Sequence, residues 1–263
     1  ETVSINSANL VQNGNFSELG SQLVTNGNFE TDSDWVKQAG WTISGGKANC
    51  DGISGGAYIY QNIGSATIGK TYKIQLDVSN YTSGTLVAAY GGTSAVGITS
   101  NGSYIFYVKA TSTDANTSYL SYNFIGSIDN VSVKQVDPND NWTLGTGWSF
   151  GTDEAIYTGT ANANLSQNNV LASGKKYKLQ YTVISSTLVN GIVKISGSTS
   201  AAQEILSQVT GAHSLIFIAD GTAPTNLDIR VVINTSGQYK ITNISVIEIQ
   251  ENGVPRLDYT NGT

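Results

Sequence analysis

Methionine is absent from this 263-residue chain, cysteine and histidine occur once each, proline only three times, and charged residues make up just 12%. Each scarcity excludes something. One cysteine, Cys50, cannot close an intrachain disulfide, and the neighbouring Asp51 has the wrong sign to activate a thiolate. A small buried hydrophobe is its expected role. The single histidine, His213, has no nucleophile or acid near it in sequence. The chain also lacks a Gly-x-Ser-x-Gly elbow, a phosphate loop and a His-Glu-x-x-His motif, so catalysis is not expected. A pair of glycosidase-type carboxylates drawn from distant strands stays open on spacing alone, though few acids fall inside the strand runs. No apolar run reaches the roughly 18–20 residues of a membrane span. The 13 basic residues are scattered and outnumbered by 19 acidic ones, giving a net charge of −6. That balance argues against nucleic acid, whose binding needs clustered cations. Lack of an initiating methionine leads us to expect a processed product or an excised fragment. Few prolines beside 29 glycines and many Ser, Thr and Asn suit short strands and tight turns rather than helix.

The most informative stretch is written twice. Gly69-Lys-Thr-Tyr-Lys-Ile-Gln-Leu-Asp-Val78 returns as Gly174-Lys-Lys-Tyr-Lys-Leu-Gln-Tyr-Thr-Val183. In both, a Gly-Lys turn opens a strict alternation. Tyr72, Ile74, Leu76 and Val78 face one way, as do Tyr177, Leu179, Tyr181 and Val183, with polar residues between them. Period-two alternation marks a strand with one buried and one wet face, as in an antiparallel sheet. Two copies predict two similar domains.

The repeat organises most of the chain. Trp35, Gly40 and Trp41 match Trp142, Gly147 and Trp148 at an offset of 107 residues. Ile128-Asp-Asn-Val-Ser-Val matches Ile241-Thr-Asn-Ile-Ser-Val at 113. Short strands with turn signals every 8–12 residues between them predict an all-β protein of two tandem antiparallel β-sandwiches. The expected boundaries are 23–136 and 137–250, with a linker over 1–22 and a tail or lead into further chain over 251–263. Within 1–22, Leu10-Val-Gln-Asn-Gly-Asn-Phe-Ser is echoed 13 residues later by Leu23-Val-Thr-Asn-Gly-Asn-Phe-Glu. The first copy is expected to be a linker or the remnant of a preceding unit, packed along the first domain.

Two acids stand out. Alternation places Asp129 on the face of Val131 and Val133, the inward one if the valines are core. A buried carboxylate is costly unless it is paired or bound to a metal. Glu30 lies at the start of the same domain, and first and last strands of a sandwich are often neighbours. Two carboxylates without a basic partner suit a hard cation such as Ca²⁺. The plainer alternative is that Asp129 caps a turn. In the second copy Asp137 aligns with Glu30, but Thr242 replaces Asp129, so no second ion is expected.

Asn26-Gly-Asn-Phe-Glu30, Gly40-Trp41, Gly69-Lys-Thr-Tyr72 and Ile128-Asp-Asn-Val-Ser-Val133 together resemble the carbohydrate-binding modules of the family 4/9/22 superfamily. The resemblance implies a jelly-roll sandwich with a structural calcium on Glu30 and Asp129, and a polysaccharide or cell-surface glycan as partner. The doubled Asn-Gly-Asn-Phe lead-in and the residues 255–262 are also similar to bacteriophage particle proteins, which implies an extracellular or virion-surface location in a tail or head fibre. Fibre proteins are often trimers, although no coiled coil is encoded. A sugar site needs exposed aromatic faces rimmed by polar groups, and the chain has 14 tyrosines and four tryptophans. Trp41, Trp148, Tyr72 and Tyr177 recur in both copies and are expected in the core. Tyr58, Tyr60, Tyr81, Tyr90, Tyr107 and Tyr119 are the expected platform, with the second domain a spacer. The competing reading is a structural virion decoration with no sugar site.

Overall fold

A computed structural model describes residues 8–189, 191–196, 205–219, 225–233 and 235–249; the expected tail over 251–263 lies outside them. The chain divides into two units, Glu18–Pro138 and a second made of Glu1–Ser17 with Asn139–Thr263. We call them the first and second modules. Every regular element among the described residues is a strand.

The first module contains β1 (Val36–Lys37), β2 (Trp41–Ser44), β3 (Lys47–Asp51), β4 (Ala57–Asn62), β5 (Thr71–Tyr90), β6 (Thr93–Ser94), β7 (Gly102–Lys109) and β8 (Asn116–Gln135). Pairing is antiparallel throughout. One layer runs β7–β5–β8–β3–β2 through the first half of β5 and the second half of β8. The other runs β1–β4–β8–β5–β6 through their remaining halves. Sequence spacing suggests separate strands over 70–78 and 84–90, and over 119–124 and 128–136. In the structure each pair is one 20-residue strand that bends from layer to layer. Asn80, Gly84 and Asn123 take positive φ at the bends. A Cβ on Gly84 would overlap the carbonyl of Asn123, so only glycine lets the two bends pass so closely. Between the layers lie Ile59, Ile74, Leu76, Leu86, Tyr119, Phe124, Ile128 and Val133, all buried.

The second module repeats this plan with the long strands broken. Its strands are β9 (Thr143–Leu144), β10 (Trp148–Gly151), β11 (Glu154–Gly159), β12 (Ala163–Gln167), β13 (Lys175–Ser186), β14 (Ile192–Ser196), β15 (Ile205–Leu206), β16 (Gly211–Ala219), β17 (Leu227–Val232) and β18 (Gly237–Glu248). One sheet is β10–β11–β18–β13–β16, and the other is β15–β14–β17–β12–β9. The alternation read from the sequence holds in both modules: Tyr72, Ile74, Leu76 and Val78 are buried, as are Tyr177, Leu179, Tyr181 and Val183.

The expected linker is where sequence and structure part. Residues 9–17 pack into the second module as residues 22–30 pack into the first. The Leu10 amide donates to the Val246 carbonyl, and the Leu23 amide to that of Val133. Gln167 brackets Gln12 through both its amide and its carbonyl, as Gln61 does Thr25. Trp142 Nε1 donates to Asn13 O and Trp35 Nε1 to Asn26 O, each at 3.0 Å. Phe16 packs at a tilt against Trp142 at 5.2 Å, and Phe29 against Trp35 at 5.0 Å. A Cβ at Gly14 would overlap Ile244 O, and one at Gly27 would overlap Val131 O. The first lead-in is therefore not a remnant. It begins the second module, and the whole first module is inserted between that beginning and the remainder. Asp137 accordingly belongs to the first module, where its amide donates to Glu18 O.

Candidate functional site

The layer β1–β4–β8–β5 of the first module turns its outward side chains to solvent at positions fixed by register. Val36 lies opposite Tyr60, Tyr60 opposite Ser118, and Ser118 opposite Ala89. In the next row Tyr58 faces Leu120, and Leu120 faces Val87; beyond it Tyr122 faces Thr85. Residues opposite or diagonal on one face lie about 5–8 Å apart, so Tyr58, Tyr60, Leu120 and Tyr122 form one continuous patch. Tyr58 is 38% exposed, Tyr122 52% and Val36 50%. Their inward neighbours Ala57, Ile59, Tyr119 and Ser121 are buried, which locks the outward set in place. Polar groups border the patch. Gln38 is anchored by accepting from the Tyr58 amide at 2.9 Å, and Asn62 holds the turn at Gly64.

Of the six expected platform tyrosines, only Tyr58 and Tyr60 share this face. Tyr90 and Tyr119 are core residues. Tyr90 packs edge-on against Tyr72 at 4.8 Å and donates to Gly64 O, and burial pushes its hydroxyl pKa up to about 12. Tyr119 packs on Trp35 at 5.9 Å, and burial raises its pKa further. Tyr81 sits at the β5 bend against Phe124 and donates to Gly84 O. Tyr107 pairs with Lys73 on β5, which puts it on the outside of the other layer. Tyr122, Leu120 and Val36 join this face without being among the expected platform residues. With Tyr119 inward, the same alternation places Leu120 and Tyr122 outward. A concavity lined by Gly20, Ile63, Gly64, Tyr72, Tyr90 and Gln135 offers less to a ligand, because the hydroxyls of Tyr72 and Tyr90 are engaged by backbone.

The acids also differ from expectation. Asp129 does not share the buried face of Val131 and Val133. The pairing slips between Gln75–Ser132 and Asp77–Asp129, leaving one extra residue on β8. Asn130, at φ 51°, absorbs it as a β-bulge. Ile128 and Val131 therefore both point inward, and Asp129 stands half-buried beside Asp77. Its Oδ1 accepts from the Asn130 amide at 2.6 Å, and Asn130 Nδ2 donates to Asp77 at 2.7 Å. Hydrogen bonds from Ser103 and Asn130 lower the pKa of Asp77. Glu30 is exposed just past the lead-in. Among the described residues, no group of three or more His, Cys, Asp or Glu side chains is placed to hold a metal. In the second module the bulge recurs at Asn243 with Thr182 opposite Thr242. The Thr242 hydroxyl lies 2.6 Å from Asp153 O and 3.5 Å from Asn15 O. Ser17, not Asp137, is the counterpart of Glu30.

No family profile and no curated protein matches the chain. Similar solved structures include the N-terminal CBM22-1–CBM22-2 tandem of Xyn10C from Paenibacillus barcinonensis, 11% identical over 87% of this chain and 98% of that one, TM-score 0.29. The tandem CBM51 modules of a family 98 glycoside hydrolase from Streptococcus pneumoniae are 6% identical over 76% and 83%, TM-score 0.25. An allantoicase from Saccharomyces cerevisiae is 8% identical over 92% and 93%, TM-score 0.28. At these identities and scores the likenesses assign neither a family nor a function to this chain.

Proposed function

We propose that the chain is a non-catalytic glycan-binding protein and that Tyr58, Tyr60 and Tyr122 of the first module stack on the sugar. What carries this reading is the contrast between two otherwise matching faces. Positions Tyr58, Tyr60, Leu120 and Tyr122 correspond to Asn164, Ser166, Arg230 and Val232 in the second module. A purely structural repeat has no need of exposed aromatics in one copy alone. Flat rings flanked by amides and hydroxyls suit the apolar face of a pyranose and its equatorial hydroxyls. A glycan-bearing surface met from an extracellular assembly is the implied setting, a phage fibre being the case suggested by sequence resemblance. Binding of the full chain to a glycan array tests the reading, with Tyr58→Ala and Tyr122→Ala as variants. Each truncation removes about 1.5–3 kcal/mol of apolar burial, roughly a ten- to hundredfold loss of affinity. Wild type that retains no glycan, or variants that bind as wild type does, would overturn it.

We further propose one calcium ion in the first module, at Asp129 and Glu30. In the second module the Thr242 hydroxyl donates to the Asp153 carbonyl. At the matching place Asp129 offers only acceptors. The carbonyl-bearing Asn28 lies beside Gly46, the counterpart of Asp153; a Cβ on Gly46 would be 3.9 Å from Asn28 O. Carboxylates together with carbonyls are the oxygen ligands that suit a hard cation. Bound there, calcium would tie the lead-in to the β8 bulge.

A further inference from the structure

The face of the second module that matches the tyrosine patch carries a row of different chemistry. Arg230 on β17 lies between Asn164 on β12 and Lys194 on β14, its register partner on either side. All three are half-buried and outward-facing. They replace Leu120, Tyr58 and Val87 of the first module. Two observations make the row more than a solvated surface. Like charges directly opposite on neighbouring strands destabilise a sheet, yet Lys194 and Arg230 are so placed, in a chain with only 13 basic residues. Arg230 Nε is also buried without an acceptor, and neither cation forms an ion pair among the described residues. A buried donor left unmade is costly. Asp228, two residues before Arg230 on β17, lies opposite Ser166 and Ser196 and leaves the guanidinium unpaired.

We infer that this row is a second ligand site, selective for an anionic sugar. A carboxylate or sulfate group would lie against Arg230 and Lys194 while the Asn164 amide takes a neighbouring hydroxyl. A planar guanidinium matches such oxyanions in bidentate fashion. One anion against the guanidinium would relieve the repulsion between the two cations. The two modules would then address one polymer, or two, through the same layer with opposite preferences. The inference rests on the proposed glycan-binding role only for the choice of face.

Affinity electrophoresis of the full chain in gels containing polygalacturonate, dextran sulfate or neutral dextran tests it. A protein of net charge −6 is repelled by a polyanion as a whole, so retardation by one requires a local cationic site. We expect retardation by polygalacturonate, dextran sulfate or both, and the stronger effect identifies carboxylate or sulfate as the preferred group. Arg230→Gln should weaken it roughly tenfold or more, as expected for loss of a charged hydrogen bond. Lys194→Gln should weaken it as well while leaving the melting temperature unchanged or raised, a result that separates lost binding from lost folding. Tyr58→Ala should leave polyanion binding intact, so that failure here is distinct from failure of the tyrosine platform. Absence of retardation by both polyanions, or Arg230→Gln behaving as wild type, would overturn the inference.

Discussion

If residues 9–17 are a structural part of the second module, truncating Phe16 must damage strands more than 120 residues away in sequence and spare those that follow at once. Phe16 is 2% exposed and lies 5.2 Å from Trp142 and 6.3 Å from Phe150. Phe→Ala in a packed core costs about 3–5 kcal/mol. Phe16 also holds a positive φ of 57°, a strained conformation for a bulky residue. Alanine does not escape that strain, so no relief offsets the cavity. Against a module stability on the order of 5–15 kcal/mol, the loss is a large fraction, and a melting shift of roughly 10 °C or more follows. Peptide-resolved hydrogen exchange together with calorimetry reads both. Protection should fall across β11, β13 and β18 and persist in β3, β7 and β8. Phe29→Ala should give the mirror result. Were 9–17 a linker, Phe16→Ala would cost no more than about 0.5 kcal/mol. Unchanged exchange in β18, or loss confined to the first module, would refute the nested arrangement.

Other consequences can be checked separately. Calorimetric titration should find one calcium per chain, abolished by Asp129→Asn; two ions of equal affinity would contradict the assignment. Saturation at about 100 times Kd should stabilise the first module by roughly 2.7 kcal/mol. At alkaline pH both modules should weaken. Burial raises the pKa of Tyr90 to about 12 and lifts Tyr119, Tyr181 and Tyr239 above the usual tyrosine value. The unfolded chain therefore releases these protons first, near pH 10, and the contribution present below that pH is lost as pH rises toward 12 and beyond. A urea midpoint that stayed constant from pH 9 to 11.5 would contradict this burial.

What could be read from sequence was whatever repeats locally. Alternation alone located the buried faces of β5 and β13, and the paired tryptophans aligned the two copies. What escaped reading depended on single residues or distant partners. One extra residue at Asn130 rotated Asp129 out of the face that strict alternation gave it. The two lead-ins are nearly identical, and nothing within Leu10–Ser17 says whether it packs on the adjacent module or on Val246. The exposed face of β4 and β8 was half legible. Tyr58 and Tyr60 stand in an unambiguous β4 alternation, whereas Tyr119 and Tyr122 occupy opposite faces of one aromatic-rich strand whose inward sense only the pairing with β4 and β5 decides.

The proposed sugar site is the outward face of β4, β8 and β5. Amide-resolved NMR titration of the full chain with a neutral oligosaccharide taken from the glycan array tests it most directly. Shifts should concentrate at residues 57–62, 85–89 and 116–122. Shifts centred on Lys73, Tyr107 and Lys134, on the outside of the other layer, would contradict it.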